Sequence, residues 1–187
     1  MLVKMIFAGA GGQGVLTMGN ILGNAAMLEG LHVTYLPAYG AAVRGGTANC
    51  TLSVSDEDIA SPVASTPDFV MALNQPSTTM FINRLESGGQ MLYNSDLVDN
   101  VPLRGDVDLY PVPANMVARE VATERSMNLV MLGAFIRLTG VVKVESITLS
   151  LDSMMGKKPQ VKERSINAFM EGYNNFPFPA DTLAAPV

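Results

Sequence analysis

The sequence has one cysteine, one histidine and no tryptophan in 187 residues. Cys50 therefore has no partner for an internal disulfide, and neither a zinc site of paired thiols nor the ligand run of an iron–sulfur cluster can be built from it alone. His32 stands at the entrance of a short apolar stretch and reads as a surface residue rather than a base. No nucleophile–base pair and no carboxylate dyad is apparent. Charge is also scarce: charged residues make up 16% of the chain, the net charge is −5, and no long Lys/Arg block is present. A nucleic-acid backbone is thus an unsuitable partner. No apolar run reaches the length of a membrane span, and the opening residues lack the small-residue cleavage site of an export signal. These absences predict a cytoplasmic protein without a membrane anchor.

What is present is apolar. Hydrophobic residues make up 48% of the chain and thirteen are methionines, giving a mean hydropathy of +0.25. A chain of this length buries about 70% of its unfolded surface in one domain and needs no staple. One domain is expected over residues 1–176, with a proline-rich tail at 177–187 that has no periodicity. Methionine fills irregular cores, and so little charge also points to surface buried against other subunits or a second copy of the chain.

Periodicity predicts the elements. Residues 2–8 form a short apolar run closed by glycines, residues 15–29 repeat apolar positions at helical spacing, and residues 32–36 alternate, so the start of the chain reads as a βαβ unit. Residues 47–55 alternate as a half-buried strand, and residues 68–73 are continuously apolar, as in a strand covered on both faces. A helix is expected over 76–86 with Pro76 in its first turn, then strands at 90–94 and 108–112. Helical patterns follow over 114–123, 128–139, 145–155 and 161–173. The predicted class is α/β, a Rossmann-like three-layer domain with a mostly parallel sheet and a helix-rich C-terminal half.

Gly9, Gly11 and Gly14 fit G-x-G-x-x-G between the first strand and the first helix, with Gly12 and Gln13 inside the pattern. Glycines there allow close approach and left-handed backbone, and free N–H groups at the helix start favour an anion. The alternative is that they only let strand and helix pack. The second strand does not end in the acid that would hold an NAD ribose, and no G-K-[ST] follows the loop. The segment containing Tyr39, Arg44, Gly45 and Gly46 lies beyond the second strand, where open α/β sheets place ligands, and offers one guanidinium on a sharply bending loop. Asn74, Gln75 and Ser77 follow the apolar strand and open a helix; their polar groups can face a ligand or cap that helix. Cys50 reads as a buried small hydrophobe, and Asp56, Glu57 and Asp58 as a solvated turn.

Three segments together, GAGGQGV from Gly9, AYGAAVRGGTANC from Ala38 and NQPS from Asn74, closely resemble the gamma subunit or gamma domain of the 2-oxoacid:ferredoxin oxidoreductases. The 2-oxoglutarate and branched-chain 2-oxoacid members are the nearest in pattern; the small subunit of indolepyruvate oxidoreductase ranks below them. The resemblance implies part of a complex that oxidatively decarboxylates a 2-oxoacid with coenzyme A, giving acyl-CoA, CO2 and reduced ferredoxin. It also implies thiamine diphosphate, Mg2+ and iron–sulfur clusters on alpha, beta and ferredoxin-like delta partners, coenzyme A as the ligand nearest this chain, and no turnover by the chain alone. A free-standing Rossmann-like nucleotide-binding module is the alternative that the glycine loop leaves open.

Overall fold

The computed structural model describes residues 1–40, 46–155 and 159–176. The expected tail at 177–187 lies outside them. In chain order the elements are β1 (Leu2–Ala10), α1 (Val15–Leu28), β2 (His32–Tyr39), β3 (Thr47–Ser55), β4 (Phe69–Ala72), α2 (Gln75–Phe81), a 3-10 turn (Ile82–Arg84), β5 (Gln90–Asn94) and β6 (Asp108–Val112). α3 (Ala114–Val121), a second 3-10 turn (Glu124–Ser126), α4 (Met127–Thr139), α5 (Val144–Met155) and α6 (Pro159–Asn174) complete it.

The six strands form one sheet in the order β2-β3-β1-β4-β5-β6. β3 runs antiparallel to both of its neighbours, and the other pairings are parallel. The opening βαβ reading needs correction on this point. α1 does carry the chain between parallel strands, but β2 lands two positions from β1 and β3 fills the gap, pairing Phe7 with Cys50 on one side and Pro37 with Cys50 on the other. Pro37 has no ladder N–H to give and is tolerated because β2 is the edge strand.

Alternation along β1 sorts its side chains to two cores. Met5 and Phe7 enter the larger one with α1, α3, α4, α5 and α6, while Ile6 and Ala8 meet Phe81, Ile82 and Leu85 on the opposite face. β1 is thus buried on both sides, as its unbroken apolar run requires. Phe135 of α4 sits edge-on to Phe7 and Phe69, with ring centroids 5.4 and 5.7 Å apart. α4 and α6 touch through glycines: a Cβ on Gly133 would lie 2.0 Å from the Phe169 carbonyl oxygen, and one on Gly172 2.0 Å from that of Val130.

The helix expected over 76–86 is shorter. It starts at Gln75, gives way to the 3-10 turn after Phe81, and the backbone is extended at Leu85. Arg104 explains the break: its Nη1 donates to the carbonyls of Ile82 and Leu85 at 2.8 and 2.9 Å, taking acceptors that further helical turns would have used. Asp106 holds that guanidinium in a two-pronged pair at 2.6 and 2.9 Å.

Candidate functional site at the carboxyl edge of the sheet

All parallel strands end at the same edge, where β3 begins. The chain leaves β1 through α1 toward β2 on one side, while β4, β5 and β6 extend the sheet on the other. The crevice between the ends of β1 and β4 is therefore the topological switch point, the position at which open α/β sheets bind ligands.

The glycine loop occupies it. Gly12 and Gly14 have φ of +95° and +77°, both left-handed. Gly14 caps α1 without a side chain, and a Cβ there would lie 2.4 Å from Nδ2 of Asn128. A Cβ on Gly9 would lie 2.7 Å from Oε1 of Gln13 and 2.9 Å from Val15. Gly9 and Gly14 are thus needed for packing, whereas a Cβ on Gly12 would meet open space. Gly11 donates its N–H to the carbonyl of Gly46 at 2.8 Å, which ties the loop to the start of β3.

Gln13 is the organiser. Its Oε1 accepts from the Ala10 N–H at 2.6 Å and from Nδ2 of Asn74 at 3.1 Å. A backbone N–H can only donate, so the amide orientation is settled and Nε2 is left with its two hydrogens. Asn74 uses its other atom, Oδ1, to cap α2 through the N–H of Ser77 at 3.0 Å. Gln75 turns elsewhere: Oε1 accepts from the N–H groups of Asp99 and Asn100 at 3.1 and 3.0 Å, and Nε2 donates to the Asn100 carbonyl. Of this turn, whose polar groups can face a ligand or cap the helix, Asn74 caps α2 and meets the glycine loop, and Gln75 fastens the loop after β5.

Tyr39 is the last residue of β2, three residues beyond the expected strand end, and is 71% exposed. Gly40 donates to the Thr47 carbonyl at 2.7 Å, so Gly40 and Gly46 are both held at this edge. Arg44 and Gly45 lie outside the described residues.

A cavity of about 240 Å³ opens beside the loop, lined by Gly12, Gln13, Leu97, Asn115, Glu124, Arg125 and Met127. Sequence reading missed its far wall, because the Glu124–Ser126 turn has no periodicity and is 110 residues away from the glycine loop in the chain. Asn115 is buried; its Oδ1 accepts from Asn94 at 2.7 Å and its Nδ2 donates to Glu124 at 3.0 Å. Arg119 pairs with the same carboxylate oxygen at 2.7 Å. The Arg119 and Asn115 hydrogen bonds hold the Glu124 carboxyl below its ordinary range. Arg125 is exposed and makes no hydrogen bond or ion pair among the described residues.

Cys50 is fully buried, its Sγ 3.9 Å from the Val15 carbonyl, and burial pushes the thiol up to about 12. His32 pairs with Asp58 at 3.1 Å on the surface. Among the described residues no three His, Cys, Asp or Glu side chains converge to hold a metal, and no helix is long and apolar enough to cross a membrane. Among the described residues the donor set does not fit a cluster or a magnesium ion.

Residues 4–175 match the family model described as pyruvate ferredoxin/flavodoxin oxidoreductase. The ketoisovalerate oxidoreductase subunit VorA of Methanothermobacter thermautotrophicus is 44% identical over 136 residues, 73% of this chain and 28% of that protein, so the chain spans under a third of that relative's length. The gamma subunit of a keto/oxoacid ferredoxin oxidoreductase from Geobacter sulfurreducens superposes with a TM-score of 0.78 at 29% identity, covering 91% of this chain and 96% of that one. A 2-oxoglutarate:ferredoxin oxidoreductase from Magnetococcus marinus, solved with 2-oxoglutarate, coenzyme A and succinyl-CoA bound, gives a TM-score of 0.84 at 26% identity over 91% of this chain and 30% of that one.

Proposed function

Because the chain belongs to the pyruvate ferredoxin/flavodoxin oxidoreductase family, we propose that it is the gamma-type subunit of a complex oxidising 2-oxoglutarate or a branched-chain 2-oxoacid with coenzyme A and ferredoxin. The observation that carries this reading is the family match over nearly the whole chain, with the described residues of the three motif segments meeting at one sheet edge through Gly11–Gly46 and Gln13–Asn74. The likeness to a ketoisovalerate enzyme subunit and to a 2-oxoglutarate enzyme supports both substrate classes.

When bound in the complex, thiamine diphosphate supplies carbanion stabilisation. This chain's own residues have a different task, to shape and orient the coenzyme A region beside that centre. Gly11 and Gly46 join two of the segments through one backbone bond, and Gln13 joins the third through Asn74. Arg44, between Gly40 and Gly46, is the guanidinium of the family-specific segment and grips a carboxylate or phosphate with paired hydrogen bonds. The domain comprises residues 1–176, and 177–187 is its tail. The alpha, beta and delta partners meet apolar surface such as the α1–α5 groove, where Met27, Leu28 and Leu149 are each more than half exposed.

Affinity purification of the tagged chain from its own cells tests the proposal. Partners carrying thiamine diphosphate and iron–sulfur clusters are expected in stoichiometric amounts. A chain that purifies alone and binds NAD instead would establish the free-standing nucleotide-binding module.

A further inference from the structure

We infer that Leu103 is a docking anchor, held out by the loop between β5 and β6 for an apolar pocket with a basic rim on a partner subunit. Leu103 is 94% exposed, more than any other large apolar residue described. Single exposed apolar side chains are ordinary on protein surfaces. What sets this one apart is how firmly its loop is held.

On the N-terminal side, Oε1 of Gln75 accepts from the N–H groups of Asp99 and Asn100 at 3.1 and 3.0 Å, and Val101 then packs against the smaller core. On the C-terminal side, Arg104 donates to the carbonyls of Ile82 and Leu85 and is fixed by its two-pronged pair with Asp106. The Asp106 carbonyl accepts from Gly88 at 2.7 Å, and Val107 returns to the same core. Only Pro102 and Leu103 lie between Val101 and Arg104, and the proline ring fixes its own φ. Little conformational freedom is left to lose when another surface covers Leu103, and preorganisation of this kind raises affinity. The clamp to Ile82 and Leu85 lies beyond the last turn of α2, at the opposite end of that helix from Asn74 and the glycine loop.

The flanking charges describe the pocket. Arg104 and Asp106 neutralise each other, while Asp99 is exposed and pairs with no cation among the described residues. The chain as a whole carries a net charge of −5. An apolar pocket rimmed by lysine or arginine complements that surface, whereas one rimmed by acids is repelled.

That the pocket belongs to a subunit of the complex rests on the proposed function; the anchor itself rests on the geometry of its loop. The test is calorimetric titration of the full-length chain into the thiamine- and cluster-bearing partner subunits purified without it. Leu103→Ala is expected to weaken binding by about tenfold or more, through the apolar burial lost with the isopropyl group, while its thermal melt stays that of the wild type. Leu103→Met keeps the apolar bulk and is expected to bind within about threefold of wild type. Val161→Ala, which trims a 43% exposed side chain on α6, is expected to bind as wild type does. Equal affinity of Leu103→Ala and wild type, or an equal loss in Val161→Ala, would overturn the anchor and leave the chain a subunit of the complex. No binding by wild type would remove the proposed function and the anchor's partner together. A dimer of the chain alone, seen by sedimentation and dissociated by Leu103→Ala, would give the pocket to a second copy and overturn its placement on a partner subunit.

Discussion

Asn74 donates through Nδ2 to Oε1 of Gln13 at 3.1 Å, and this bond fastens the turn after β4 to the loop after β1 across the switch point of the sheet. Because the same Asn74 caps α2 through Ser77, Asn74→Ala is expected to cost about 1–3 kcal/mol in urea denaturation. Asn74→Asp keeps the cap and loses the donor, so its stability should fall between the two. Equal stability of all three proteins would show that the bridge does not hold the site.

The α4–α6 contact depends on two glycines. With the Val130 carbonyl oxygen 2.0 Å from an added Cβ, Gly172→Ala is expected to destabilise by about 3 kcal/mol or to prevent folding. Gly23 in α1 is the contrast, since its nearest neighbour to an added Cβ is Val33 at 3.5 Å. Gly23→Ala should be neutral or stabilise by up to about 1 kcal/mol, as alanine is the better helix former. Thermal melts of the two variants distinguish these outcomes.

Much of the fold is legible in the sequence because it is encoded locally. β3, β5 and β6 have the predicted bounds, and Gly14 stands between the first strand and the first helix as expected. The insertion of β3 between β1 and β2 is not legible, because strand order is decided by pairing between residues such as Phe7 and Cys50 that are distant in the chain. The early end of α2 was hidden for the same reason, being enforced by Arg104 some twenty residues on. At the site, the glycine loop and the Asn74 turn are visible as motifs. The orientation of Gln13 and the placement of Arg125 opposite it follow only from tertiary packing.

Cys50 gives a pH prediction. Burial raises its thiol to about 12 in the folded chain, against about 8.5 in an unfolded one. The folded state therefore keeps a proton that the unfolded state loses, and stability is fully present below about pH 8.5 and declines as pH rises toward 12. Cys50→Ala should flatten part of this decline in urea midpoints measured between pH 8 and 10. An identical slope in both proteins would contradict it.

Arg44 should serve the assembled site rather than the fold. Arg44→Lys is expected to impair turnover of the reconstituted complex nearly as much as Arg44→Ala, since an ammonium cannot reproduce two parallel hydrogen bonds. Both should keep stability within about 1 kcal/mol of the parent. Steady-state kinetics at saturating chain checks this; activity regained only at high chain concentration would assign Arg44 to docking.

The most direct measurement of the central claim is 2-oxoacid- and coenzyme A-dependent dye reduction by the partner subunits with and without this chain. With 2-oxoglutarate or a branched-chain 2-oxoacid, the chain alone should be colourless and inactive, and its addition should restore turnover to partners that lack it. Turnover by the chain alone, or full turnover by the partners without it, would contradict the account.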